Sequence, residues 1–162
     1  MGKKKKTTFL FKTMTDIDIH RVTLKFFDFN FSPEELTSKL DLEPTETAIK
    51  GQEFFVGPKH KQIRKIWPWN FWAYQVEIVK RRHWIGDQID DFIDNIIKPK
   101  QEKIKTITAT CKAEFSIVQY IYEGCNPGLQ FNKERLKVIA DIGAEIDADI
   151  YVLGNEKEIN KK

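Results

Sequence analysis

Residues 22–36 read VTLKFFDFNFSPEEL, and this stretch decides the class of fold. From Val22 to Phe27 apolar and polar side chains alternate, which is the period of a half-buried strand. The second half carries the signals of a helix start: Ser32 as N-cap, Pro33 at the first helical position, and Glu35 to complete a capping box. A strand followed so closely by a well-capped helix predicts a domain that mixes both element types.

The rest of the chain repeats these patterns. Further strands are predicted at Phe71–Val79, Ala113–Tyr122 and Glu145–Val152, and further helices from about Ile85 to Ile97 and from Asn132 to Gly143. Pro99 is expected to break the long helix, with a short helical turn near Lys103–Ile107 after it. Because of its glycines and prolines, the segment 51–70 is predicted to be loop-rich. The order predicts an α+β fold, with a mainly antiparallel sheet and helices on one face.

Apolar side chains on the last two elements are expected to be buried. On the third helix these are Leu136, Ile139 and Ala140, and on the last strand Ile146, Ala148, Ile150 and Val152.

Two hexapeptides resemble each other. FSPEEL at 31–36 and FNKERL at 131–136 both place an aromatic residue, a cap and a leucine at the same spacing. This self-similarity favours the hypothesis of two related βαβ halves around one sheet. Common capping patterns would also produce it by chance, so both interpretations stand.

Composition indicates one cytoplasmic domain with tails. The 162 residues fit a single domain over 19–154, with a basic flexible tail at 1–18 and a polar tail at 155–162. No apolar run reaches membrane-spanning length, so no membrane partner is expected. Cys111 and Cys125 form no CxxC pair, which favours free thiols in a reducing compartment.

Several of these segments resemble a bacterial family of domains of unknown function, family 4279. The resemblance is carried by residues 31–36, the Leu42–Thr45 turn with Gly51, the Trp72 strand, residues 124–128, Leu136, and residues 143–147 leading to Asp149–Tyr151. It implies a small α+β domain with a ferredoxin-like arrangement and no established activity. Some relatives look like genes of toxin–immunity or phage-defence neighbourhoods. The lysine-rich start and the Lys59–Asn70 insertion depart from the family pattern.

The most unusual feature is a crowding of aromatic and basic residues. All four tryptophans lie between Trp67 and Trp84, together with most of the central cations. Trp72 and Trp84 are expected in the core, whereas Trp67 and Trp69 flank Pro68 in a predicted loop. The predicted partner-binding residues are Lys59, Lys61, Arg64, Lys65, Trp67, Trp69, Arg81 and Arg82.

No other constellation predicts chemistry. Glu145, Asp147 and Asp149 alternate on one strand, where the solvent face of an antiparallel sheet explains them better than a cation site or an acid/base pair. The three histidines lack ligand spacing, and no nucleophile elbow, P-loop or dinucleotide fingerprint occurs. The sequence therefore predicts no catalytic residue, no metal and no cofactor.

Two functions from different classes remain. The first is a non-enzymatic interaction protein, such as an immunity- or defence-type binder that sequesters a protein partner. The second is a nucleic-acid-binding module, for RNA or a single strand, that uses the basic and aromatic region 59–84. A phosphate-binding surface would lose affinity steeply with salt, whereas an aromatic-anchored protein interface would lose much less.

Overall fold

The computed structural model describes residues 17–80, 83–122 and 127–153. The strands in these ranges are β1 (Ile19–Phe27), β2 (Glu46–Ala48), β3 (Glu53–Val56), β4 (Ile63–Ile66), β5 (Phe71–Val79), β6 (Lys112–Ile121) and β7 (Ala144–Val152). The α-helices are α1 (Pro33–Leu40), α2 (Ile85–Phe92), α3 (Gln101–Thr108) and α4 (Lys133–Asp141). Most of the tails predicted at 1–18 and 155–162 lie outside these ranges.

Five strands form one mixed sheet in the order β2-β5-β1-β6-β7. The central strand β1 is antiparallel to both β5 and β6, and β2 is antiparallel to β5. The edge strand β7 is parallel to β6, because α4 carries the chain back to the same end of the sheet. The prediction of an α+β fold with a mainly antiparallel sheet is confirmed. The prediction that the last strand lies in an antiparallel part of the sheet is wrong, because β7 is parallel to β6.

The core lies on one face of this sheet. Leu24, Phe26 and Trp72 are fully buried on that face, and side chains from all four helices join the same cluster. The helices contribute Leu36 and Leu40 from α1, Ile85, Ile89 and Phe92 from α2, Ile104 and Ile107 from α3, and Ile139 from α4. The other face is polar at its centre, where Lys25 bonds Glu114 at 2.6 Å and Arg21 bonds Glu77 at 2.6 Å.

The predicted helix starts are confirmed. The Ser32 hydroxyl accepts from the Glu35 N–H at 3.2 Å, and the Asn132 side chain accepts from the Arg135 N–H at 2.8 Å. The two strand–helix–strand halves differ in strand direction, since β1 and β5 are antiparallel and β6 and β7 are parallel. The duplication and the ferredoxin-like arrangement are therefore not confirmed.

Most residues of the segment 51–70 lie outside strands, as predicted, but β3 and β4 within it pair as an antiparallel hairpin that was not predicted. The prediction that Pro99 breaks the helix is wrong: a π-helical turn at Ile93–Ile97 and a 3₁₀ turn at Lys98–Lys100 lead directly into α3. These turns space their backbone hydrogen bonds differently from an α-helix, and this spacing tolerates Pro99, which has no N–H to donate.

Several apolar side chains predicted to be buried are exposed. Trp84 precedes α2 and is 38% exposed. On α4, Ile139 is buried as predicted, but Leu136 is 47% exposed and Ala140 is exposed too. On β7, Ile146 and Val152 are 39% and 49% exposed, and Ala148 is also exposed. The named β7 residues lie on the expected, helical side of the sheet, but α4 packs against β7 without covering them.

Candidate interaction surface

Exposed apolar side chains of the described residues gather at two places. Twelve large ones are exposed, and five of these lie between residues 49 and 69. We call these five the hairpin patch: Ile49 (54% exposed), Phe55 (59%), Ile63 (57%), Ile66 (56%) and Trp69 (37%). Sequence reasoning found only Trp69 among them. The β-branched and aromatic residues Phe54, Phe55, Val56, Ile63 and Ile66 on either side of Gly57 and Pro58 were the signal that would have found the hairpin.

The hairpin register decides which side chains share a face. Glu53 pairs with Ile66 and Phe55 pairs with Arg64, so these four point to one side, which we call the outer face. Phe54 pairs with Lys65 and points to the opposite side, together with Trp67. The turn requires Gly57, which has φ +101° and whose added Cβ would lie 2.7 Å from the Lys61 carbonyl oxygen.

Trp67 joins the hairpin to the main sheet. Its ring contacts those of Phe54 and Phe71, with both centroid distances 4.9 Å. Its backbone N–H donates to the Gln52 carbonyl at 2.9 Å, which extends the hairpin ladder by one step. With two ring neighbours and a half-buried side chain, Trp67 supports the hairpin. Trp69 instead contacts Phe27 at 5.9 Å and remains 37% exposed.

Asn70 fixes the base of the hairpin. Its side-chain N–H group donates to the Phe29 carbonyl at 3.1 Å and the Phe31 carbonyl at 2.9 Å. Its side-chain oxygen accepts from the Lys50 N–H at 2.9 Å. A single amide thereby connects both ends of the segment 50–70, which contains the hairpin, to the loop after β1. Spacing in the sequence gives no sign of this role.

The predicted basic residues are not gathered on one face. Lys59 and Lys61 are exposed in the turn, and Lys65 is exposed on the side opposite the outer face. Arg64 lies on the outer face, where its guanidinium forms an ion pair with Glu53. Arg81 and Arg82 lie outside the described residues.

The other candidates show no chemical site. Glu145, Asp147 and Asp149 are exposed, and the described residues include no group of three or more side chains able to hold a metal ion. Burial raises the pKa of the Cys111 thiol to about 11, and its Sγ donates to the Ile107 carbonyl at 3.3 Å. Such a thiol is protonated and unreactive at neutral pH. Cys125 lies outside the described residues.

A buried polar cluster lies at the other end of the strands. The buried side-chain nitrogen and oxygen atoms that lack a partner in the described ranges all belong to His20, His83, Gln88 and Gln119. His20 and Gln119 are neighbours across β1 and β6, and the His20 ring meets His83 edge-on at 5.9 Å. Burial lowers the pKa of His20, Asp18 opposes this effect, and His83 adds to it. The cluster therefore favours a neutral imidazole.

Across the described ranges, no helix is long and apolar enough to cross a membrane. Among known proteins, neither a curated sequence nor a solved structure matches the chain. The model of one family, described as a domain of unknown function (DUF4279), matches residues 18–153, which span every strand and helix above. The chain therefore belongs to the DUF4279 family.

Proposed function

We propose that this protein is a non-enzymatic binder that sequesters a protein partner, and that the outer face of the hairpin, which carries Phe55 and Ile66 of the hairpin patch, is its contact surface. The observation that carries this is the exposure of Phe55 and Ile66 on the outer face, 59% and 56% respectively. Two large apolar side chains beside each other on a projecting hairpin cost solubility unless a partner covers them. An immunity- or defence-type role, in which a small domain blocks another protein, fits such a surface.

Rigid presentation supports the proposal. The Trp67 ring contacts and the Asn70 hydrogen bonds hold the hairpin to the main sheet at its base. A surface already ordered before binding loses less conformational entropy when the partner docks. Cations at the turn, Lys59 and Lys61, add long-range attraction for an acidic partner.

The alternative of nucleic-acid binding has less support from this arrangement. A base-stacking platform needs a free ring face, and the Trp67 ring is already engaged with the rings of Phe54 and Phe71. A phosphate track needs unpaired cations in a row, yet Arg64 is paired with Glu53 and Lys65 points to the other side.

Affinity capture with matched variants tests the proposal. The baits are the wild type, the test variant Phe55→Asp/Ile66→Asp and the control Leu136→Asp, which replaces an exposed apolar residue (47%) on α4. Captured proteins are identified by mass spectrometry and captured nucleic acid by gel electrophoresis, from extracts with and without nuclease treatment, at low and high salt. We expect a protein captured by the wild type and by Leu136→Asp, but lost with the hairpin variant at unchanged melting temperature. Capture of nucleic acid alone, or capture that the hairpin variant retains, would overturn the proposal.

A further inference from the structure

The second group of exposed apolar side chains lies at the far edge of the sheet. It consists of Leu136 on α4, and Ile146, Tyr151, Val152 and Leu153 on or directly after β7, all 37–49% exposed. Strand β7 is the last strand of the sheet order, and no described strand pairs with its outer edge. The hairpin is inserted in the chain between β2 and β5, the two strands at the other end of the strand order.

The two edges differ in how far they are protected. The β2 edge is three residues long, which leaves few free backbone groups. Strand β7 has nine residues in unbroken register with β6, with neither a proline nor a bulge. The Leu153 N–H donates to the Ile121 carbonyl at 2.8 Å. The backbone groups of successive strand residues point to opposite edges of the strand. Since the Leu153 N–H points toward β6, the N–H groups of residues 146, 148, 150 and 152 point away from the sheet.

The side chains along this edge separate by chemistry. On the open face of the sheet stand Glu145, Asp147 and Asp149, all exposed, and the ion pairs of the described residues include none of them. On the helical face stand Ile146 and Val152, and Leu136 is exposed on α4, the helix that precedes β7. Tyr151 shares the open face with the carboxylates, where its ring stacks on that of Tyr120. A strand laid against β7 would thus meet carboxylates on one side and apolar groups on the other.

We propose that β7 is a strand-addition site for a partner segment that alternates basic and apolar residues. The partner's backbone would bond the outward groups of β7, its cations would face the three carboxylates, and its apolar side chains would cover Ile146, Val152 and Leu136. This surface is separate from the hairpin patch and does not rest on the function proposed for that patch.

A second copy of the chain fits this edge poorly. When two β7 strands pair antiparallel about any centre from Ile146 to Asp149, carboxylates of one copy stand directly opposite carboxylates of the other. Like charges in directly opposed positions destabilise a strand pair. The acidic row therefore opposes self-pairing and at the same time selects a cationic strand.

The probe is a capped peptide that alternates lysine and valine over the length of β7. One control peptide has the same residues with lysines and valines in separate blocks. Another carries N-methyl groups at every second residue, which removes the hydrogen bonds on one edge. Binding is measured by titration calorimetry, and exchange of the amides of 146, 148, 150 and 152 by NMR. We expect these amides to become protected with the alternating peptide only.

Charge reversal supplies the matched protein variants. Asp147→Lys/Asp149→Lys is expected to weaken binding about tenfold and to bind a glutamate–valine peptide instead. Asp91→Lys/Glu102→Lys changes net charge equally at exposed helix positions and should bind within about twofold of wild type. Phe55→Asp/Ile66→Asp should also bind normally, which separates this site from the hairpin patch.

Several results would overturn the proposal. One is equal binding of the block peptide, which would indicate charge attraction without strand pairing. Another is an unchanged affinity in Asp147→Lys/Asp149→Lys, and a third is an absence of binding at millimolar peptide. Self-association in sedimentation that Leu136→Asp abolishes would assign the edge to a second copy instead.

Discussion

Replacing Trp67 by alanine should release the hairpin while leaving the main sheet folded. In the structure, the Trp67 ring has two aromatic neighbours, one on the hairpin and one on β5, each at 4.9 Å. An isolated two-stranded hairpin is at best marginally stable in water. Strands β3 and β4 form a separate two-stranded sheet, so these ring contacts are their main aromatic connection to the five-stranded sheet.

The magnitude follows from the two ring contacts. Each aromatic pair contributes about 0.5–1.5 kcal/mol beyond the area it buries, so losing both lowers the free energy of hairpin opening by about 2 kcal/mol. The open population then rises about thirtyfold. Amide exchange of residues 53–56 and 63–66 should accelerate by the same factor, since their exchange proceeds through this local opening.

Hydrogen exchange resolved by residue is the assay, with β1 as internal reference and Trp69→Ala as control. Trp69 has one tilted ring contact at 5.9 Å and is 37% exposed, so its loss should change hairpin exchange only slightly. Protection in β1 should not change in either variant. Unchanged hairpin exchange in Trp67→Ala would refute the reasoning, and equal losses in β1 and the hairpin would place Trp67 in the global core.

Two further perturbations test the packing. Arg135 donates to both Asp90 carboxylate oxygens at 2.6 Å and to the Gly86 carbonyl at 3.0 Å. Arg135→Ala should therefore lower the free energy of unfolding, measured in urea, by about 1–3 kcal/mol. The control Lys137→Ala removes only the surface pair with Asp141 and should lower it by less than about 0.5 kcal/mol. Because the folded-state pKa of His20 lies below its ordinary 6.5, the unfolded chain binds the extra proton. Stability should be complete above that value and fall as pH decreases below it, and His20→Gln should flatten this dependence.

Local signals in the sequence were enough to predict most elements. The bounds of β5 were predicted without error, and both predicted N-caps are confirmed, because alternation and capping act within a few residues. The same local reasoning recognised that 51–70 is loop-rich but missed its hairpin, in which the apolar residues on either side of the turn at Gly57 and Pro58 form two short strands.

Features that depend on contacts between distant segments were not predictable. The alternation of β7 correctly separates its two faces, but the exposure of Ile146 depends on how far α4 reaches across the sheet. Likewise, Pro68 beside Trp67 indicated a free aromatic loop, whereas Phe54 and Phe71 contact that ring. The basic residues were found from composition, but their distribution over both hairpin faces follows from strand register.

The hairpin carries several basic residues and β7 carries three carboxylates, which raises the question of whether copies of the chain join head to tail. Such a heterologous contact would place β4 of one copy on β7 of the next and would propagate without limit. The pattern of β4 does not suit it, because each face of that strand carries one cation and one apolar side chain: Arg64 with Ile66, and Lys65 with Ile63. If β4 paired with β7, one of its two cations would face the apolar side chains of β7, and one of its two apolar side chains would face the carboxylates. The arrangement therefore opposes head-to-tail polymerisation.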